Sequence, residues 1–293
     1  AQACGEAHRR AAQRPPGTAP RGPAMAPYKQ LPAEPVTHEA DPRCRRLEGK
    51  VGIVTAATLG IGKAIAVRLG QEGAKLMVSS RKQANVDELV KEMKDLGCTC
   101  IGMPCHVGKS EDRQAMINRC VAEFGKIDFV VSNAAVQPAA GPTLQMTEET
   151  YDKIMDINVK SYFMLVKECY PHMNKGGSVV FVSSEGAYSP GPPLGIYGMS
   201  KTALLGLAKA LAVDLGPDGI RVNCIAPGTI RTRFAEILWK DERSARANAV
   251  GRALQRLADP VEMAGAAAYL VSDDSTYMTG ETLLLGGGRG SRL

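Results

Sequence analysis

The sequence predicts a single doubly wound α/β domain built on a seven-stranded parallel sheet, and three observations lead there. Short runs that are apolar on both sides recur seven times between Val51 and Leu285, amphipathic stretches separate them, and the first 46 residues carry neither pattern. A strand apolar on both sides must be covered on both faces, so strands alternating with helices form βαβ units in a parallel sheet. With 44% hydrophobic residues in 293, the chain can bury a large core.

The elements follow in order. Val51–Thr55 is the first strand, and Ile61–Gln71 places Ile61, Ala64, Ile65 and Leu69 on one helical stripe. Strands at Lys75–Ser79 and Thr99–Met103 flank a helix at Val86–Leu96, and a helix at Glu111–Phe124 leads into the strand Ile127–Ser132. A long helix is expected at Glu148–Met173, then a strand at Ser178–Ser183 and a helix at Tyr197–Leu215. Arg221–Ile225, the helix Val261–Val271 and the strand Thr282–Leu285 complete the domain, set at residues 47–288.

Charge separates the ends from this domain. The chain carries +6, of which residues 1–46 hold +4 (eight basic, four acidic) and residues 289–293 hold +2. The domain between is neutral. Residues 1–46 also contain eight of the 18 prolines, a composition that cannot bury enough surface to fold, so this stretch is expected to be a disordered extension. It lacks the apolar core of a secretory signal. Its aromatic residue is Tyr28 alone, so it offers no stacking platform and nucleic acid is not an expected partner. No uninterrupted apolar stretch of membrane-spanning length is found.

The first strand runs into Thr55–Gly62, TAATLGIG, and then a helix. Such a turn offers backbone N–H groups and the helix dipole to a pyrophosphate, and Gly60 and Gly62 permit close approach. An acidic residue about 20 positions beyond the glycines would bind a ribose 2′-hydroxyl. Here Ser80, Arg81 and Lys82 occupy that place. A guanidinium grips a 2′-phosphate instead, which predicts NADP over NAD; the alternative is a solvated strand end.

Tyr197 and Lys201 stand four residues apart at a helix start and face the same way. At ~4 Å and an effective dielectric of about 20, an ammonium stabilises a phenolate by roughly 4 kcal/mol, about three units of pKa. Such a tyrosine exchanges a proton with a carbonyl oxygen as hydride arrives or leaves. An ordinary surface pair has the same spacing. Ser183 and Ser184 end a strand where open parallel sheets bind ligands. Asn158 interrupts the stripe Tyr151, Ile154, Met155, Val159, Tyr162, either as a satisfied core amide or as the holder of a water beside Lys201.

Together Thr55–Gly62, Asn133–Ala135, Asn158, Ser184, Tyr197–Lys201 and Pro227-Gly228 resemble the short-chain dehydrogenase/reductase superfamily, over Leu47 to Leu293. The family's spacing of 13 residues from serine to tyrosine selects Ser184 over Ser183. The resemblance implies a Rossmann-type fold, Tyr197 as general acid/base, and Lys201 lowering its pKa and binding the nicotinamide ribose. It implies Ser184 polarising the carbonyl, so that Ser184 and Tyr197 meet the substrate, and Asn158 completing a proton relay through water. For NADPH it implies Ala56, Thr58, Leu59, Gly60, Ile61 and Gly62 at the turn, with Ser80, Arg81 and Lys82 beyond it. His106, Val107, Asn133, Ala134 and Ala135 would follow on the adenine side, then Tyr197 and Lys201, then Pro227, Gly228, Ile230 and Thr232 near the nicotinamide amide and pyrophosphate.

The family usually has Gly at Ala56 and Asp-Val at His106-Val107. Both departures, with Ser79–Gln83 and Ser132–Pro138, resemble a branch of peroxisomal NADP-dependent retinol dehydrogenase/reductases, also described as carbonyl reductases. That branch implies reduction of retinal, aromatic ketones and α-dicarbonyls by a tetramer. The alternatives are a 3-oxoacyl or steroid dehydrogenase on the same scaffold, or an NADP-binding regulatory protein without catalysis. Cys98, Cys100, Cys105 and His106 match no metal-ligand spacing and read as core residues. Scattered cysteines without a secretory signal imply a reducing compartment. The helix Ala203–Val213 is apolar nearly all round, which points to a subunit contact in a symmetric oligomer, the alternative being a single well-covered core helix; the homotetramer is what the resemblance implies. Ser291-Arg292-Leu293 resembles the peroxisomal address read by an import receptor, with the cytosol as second choice. Glu185 and Tyr188 are expected to line the substrate pocket.

Overall fold

Seven strands, all parallel, form one sheet in the order β3-β2-β1-β4-β5-β6-β7. The structure, a computed structural model, describes residues 45–289. The extension up to Cys44 and the Ser291-Arg292-Leu293 tripeptide lie outside the described residues. The strands are β1 (Val51–Val54), β2 (Lys75–Ser80), β3 (Cys100–Pro104), β4 (Ile127–Ser132), β5 (Met173–Val182), β6 (Arg221–Pro227) and β7 (Thr282–Leu285). The helices are α1 (Gly60–Gln71), α2 (Gln83–Asp95), α3 (Ser110–Phe124), α4 (Glu148–Met155), α5 (Ser161–Cys169), α6 (Gly195–Leu215), α7 (Glu242–Val250) and α8 (Val261–Val271). Strand order reverses at β1, which pairs with β2 on one side and β4 on the other. That reversal opens a crevice at the carboxyl ends of the strands.

Both faces of the sheet are covered, as its doubly apolar strands require. One core gathers Ile65, Leu69, Leu89, Met93, Ala264 and Leu270 from α1, α2 and α8 over Val54, Leu76 and Val131. The other face has two clusters: Met116, Ile117, Leu165 and Cys169 from α3 and α5, and Leu204, Ala208, Leu211 and Leu215 from α6. All the predicted strands and helices are present, with three departures. The expected helix Glu148–Met173 is α4, a π-helical turn at Asp156–Lys160, and α5, which ends at Cys169. Pro171 follows in a 3₁₀ turn, where a residue lacking an N–H cannot extend an α-helix. Consequently β5 starts at Met173, five residues before the apolar run, and reaches its pairing with Phe129 at Ser178 through an irregularity opposite Ile127–Phe129. The third departure is α7, whose mostly polar sequence gives little apolar periodicity to read.

By composition α6 is long and apolar enough to span a bilayer, with a mean hydropathy of 1.2. Here it packs its Leu204–Leu215 face on β5 and β6. Its opposite face holds Val213, 77% exposed. Arg46, counted with the extension by its sequence, pairs with the buried Glu72 at 2.8 Å and with Asp274 at 2.9 Å.

Candidate active site

The turn between β1 and α1 is built for close approach. A Cβ on Gly62 would lie 2.4 Å from both Ala56 O and Asn133 Nδ2, and Gly60 sits at φ +56°. Ala56 itself takes φ +49°, the left-handed region where glycine is at ease and a methyl costs about 1–2 kcal/mol. The Asn133 side chain donates to Thr55 O at 3.3 Å and Ala56 O at 3.1 Å, holding the turn in shape. Its amide is therefore spent on the turn. Leu59 caps α1 without a side-chain hydrogen bond. From across the crevice, Thr232 Cγ2 lies 3.0 Å from where a Gly60 Cβ would be, which puts the segment after β6 against this turn.

Four buried polar atoms lack partners among the described residues: Ser79 Oγ, His106 Nδ1, Ser132 Oγ and Gln137 Oε1. All stand at or beyond the carboxyl ends of β2, β3 and β4. Buried polar groups are nearly always bonded, so four orphans along one crevice fit a polar ligand lying there. Beyond β2, Arg81 and Lys82 are exposed. Val107 and Ile230 are buried walls, and Gly228 donates to Leu285 O at 3.0 Å.

At the other end of the crevice the two serines part ways. The Ser183 hydroxyl donates to Lys201 O at 2.8 Å and so holds α6 to β5. The Ser184 hydroxyl accepts from Gly186 N at 3.1 Å and stands near enough to the Tyr197 hydroxyl to lower its pKa. Tyr197 is half-buried, and its ring meets Phe234 at 5.9 Å between centroids.

Lys201 is buried behind the tyrosine. Its ammonium donates to Val182 O at 2.9 Å and Tyr162 Oη at 3.4 Å, and lies 5.7 Å from the centre of the Tyr197 ring. Burial brings Lys201 down to about 7. Burial also pushes Tyr197 up to about 12, against the lowering effect of the nearby Ser184 hydroxyl. This reverses the expected lowering by Lys201. The ammonium is engaged by Val182 and Tyr162, and desolvation of the phenolate dominates at Tyr197.

Asn158, fully buried in the π-helical turn, accepts from Val136 N at 2.8 Å and donates to Val136 O at 3.1 Å and Ser200 Oγ at 3.0 Å. The amide thus ties the chain after β4 to α6. Glu185 turns its carboxylate away from Tyr197 to Arg252, at 2.7 Å for both oxygens, while Tyr188 is 40% exposed. Tyr162, Phe234 and Arg252 escaped the sequence reading. Tyr162 was visible as Asn158 plus four, but on an apolar stripe it reads as core; Arg252 gave no signal, its partner being 67 positions away. The six described cysteines are free and buried, and no metal-binding cluster occurs among the described residues.

The chain as a whole is similar to known proteins. Residues 55–289 match the family model described as enoyl-(acyl carrier protein) reductase. A dehydrogenase/reductase SDR family member 4 from Sus scrofa is 50% identical over 253 residues, 86% of this chain and 91% of its own. Tropinone reductase-like 3 from Erythroxylum coca is 49% identical, over 85% of this chain and 96% of its own. Among solved structures, a short chain dehydrogenase from Burkholderia cenocepacia in complex with NADP superposes with a TM-score of 0.79 at 28% identity, covering 84% of this chain and all of the other.

Proposed function

The chain belongs to the short-chain dehydrogenase/reductase family of oxidoreductases, and from that premise we propose that it is an NADPH-dependent reductase of carbonyl compounds, with retinal, aromatic ketones and α-dicarbonyls as substrates. The observation that carries the reading is the convergence of three side chains: the buried Lys201 ammonium lies 5.7 Å from the centre of the Tyr197 ring, and Ser184 is near enough to lower the pKa of the Tyr197 hydroxyl. The orphaned polar atoms and the glycine turn support a dinucleotide lying across the sheet from Gly60–Gly62 to Tyr197. Ser80, Arg81 and Lys82 would meet a 2′-phosphate; neither Arg81 nor Lys82 has an ion pair among the described residues. His106, Val107 and Asn133–Ala135 would border the adenine side, and Pro227, Gly228, Ile230 and Thr232 the nicotinamide side. When bound, the dihydronicotinamide supplies the hydride that the carbonyl carbon takes up.

The protein's own groups manage the oxygen and the proton. The Ser184 hydroxyl donates a hydrogen bond to the carbonyl oxygen and polarises it. Tyr197, a protonated phenol at neutral pH with a pKa of about 12, gives its proton to that oxygen as negative charge develops. An alkoxide is more basic than this phenolate, so the transfer runs downhill. Lys201, half-protonated near pH 7, then stabilises the phenolate left behind. Both N–H groups of the Asn158 amide are engaged, so a relay water would rest on main-chain carbonyls of the π-helical turn.

The test is NADPH oxidation with retinal, a diketone, a steroid and an acyl thioester. Wild type is expected to consume NADPH with the first two, and Tyr197→Phe to lose at least a hundredfold in kcat. Turnover of the steroid or thioester alone would replace the substrate assignment, and turnover of none would favour a regulatory protein. A homotetramer is supported by a groove of about 700 Å³ lined by the apolar Met155, Val159, Phe163 and Leu207 together with the charged Asp152, Asp156 and Lys160. Peroxisomal delivery rests on Ser291-Arg292-Leu293: a fluorescent fusion is expected in peroxisomes, and its staying there without those residues refutes the assignment.

A further inference from the structure

Arg252 is 4% exposed and uses all five guanidinium N–H groups. Two go to the Glu185 carboxylate as a fork, each at 2.7 Å. The others reach Thr229 Oγ1 at 2.9 Å, Gly286 O at 2.6 Å and Asn248 O at 3.0 Å. One side chain thereby joins the turn after β5, the segments after β6 and β7, and α7. The backbone makes room for it: a Cβ on Gly228 would stand 2.5 Å from Arg252 Nη1 and 2.8 Å from Glu185 Oε2. Glu185 directly follows Ser184 and opens the 3₁₀ turn that Ser184 caps. The main chain that fixes the Ser184 hydroxyl is thus the main chain that Arg252 holds.

We propose that Glu185 and Arg252 are positioning residues: their fork, buried at Arg252 and half-buried at Glu185, where Arg289 also comes within 3.4 Å, places the Ser184 hydroxyl beside Tyr197 and registers the 229–250 segment, with Phe234, over the site. The proposal rests on the reductase reading for its catalytic consequence but not for its structural one. A shift in the Glu185 peptide moves the serine with it, and misplacement of a polarising donor costs rate. A buried arginine without its carboxylate is also an unpaired charge, so a single substitution harms folding as well. The two effects separate in a double variant that removes both charges.

The experiment compares the full chain with Glu185→Gln, Arg252→Met and the pair combined, by kcat, KM, NADPH affinity, melting temperature and hydrogen exchange. Both single variants are expected to melt lower. The double variant should regain much of the melting temperature, yet stay at least tenfold down in kcat with NADPH affinity within about threefold of wild type. Exchange at residues 185–188 and 242–252 should rise in all three. Wild-type kcat in a folded double variant, or kcat that merely tracks melting temperature, overturns the proposal. So does unchanged exchange in those segments, a readout that holds even if wild type reduces no carbonyl compound and the reductase reading itself fails.

Discussion

At Tyr197 two opposing effects act on one hydroxyl, and burial prevails. A phenol at about 12 is a ready acid for a developing alkoxide and a poor base for an alcohol, because little phenolate exists at neutral pH. The reduction and oxidation directions should therefore respond to pH oppositely. Oxidation of an alcohol needs phenolate, whose fraction grows about tenfold per pH unit below the pKa, so kcat/KM for oxidation should climb steadily from pH 8 to 10. Reduction needs the phenol, present throughout, and the Lys201 ammonium, which is lost as pH rises through about 7, so reduction should be fastest on the acid side of that value. Initial rates in both directions across pH 6 to 10 check this. An oxidation plateau already complete at pH 7.5 would mean that phenolate forms near neutrality and that Lys201 governs Tyr197 after all.

Single elements show how a motif becomes a site. The β1–α1 turn is a glycine turn in spacing, yet it is held by the Asn133 amide just after β4 and packed on by Thr232 from beyond β6. Just past β2, Arg81 and Lys82 are exposed and no carboxylate stands beside them, so the proposed cofactor choice is expected to reside there. Arg81→Ala is expected to lower kcat/KM for NADPH at least tenfold and leave NADH nearly unchanged, in line with the loss of a charge-assisted fork on a phosphate. An unaltered NADPH/NADH ratio would send the search for the phosphate site elsewhere. The catalytic spacing in α6 was readable because tyrosine and lysine four apart share a helix face. The Asn158 role was not, since a π-helical turn and the Val136 backbone define it.

On the scale of the whole molecule, the basicity noted in the composition belongs to the two ends, and the sheet-bearing domain is neutral. Its exposed apolar surface is the more informative feature. The outer face of α6 and the neighbouring α4 and α5 leave Phe163 40% exposed beside the groove reached by Leu207. If copies of the chain meet there, Leu207→Glu should convert the assembly to a smaller species by light scattering, with a folded circular-dichroism spectrum retained. A wild-type chain that is already monomeric would remove the tetramer.

The doubly wound parallel sheet, the glycine turn after the first strand and the Tyr197–Lys201 pair were legible in the chain, because periodicity and short spacings are local properties, and the family resemblance added Ser184 and Asn158. The three-dimensional fold was needed wherever burial or a distant partner chooses the outcome. It gave Ser183 a task of its own, a hydrogen bond to Lys201 O that holds α6 to β5. It reversed the sign of the Tyr197 shift, since desolvation depends on everything packed around a group and a four-residue spacing records none of that. It also joined Glu185 to Arg252 across 67 positions, where neither residue alone signals anything.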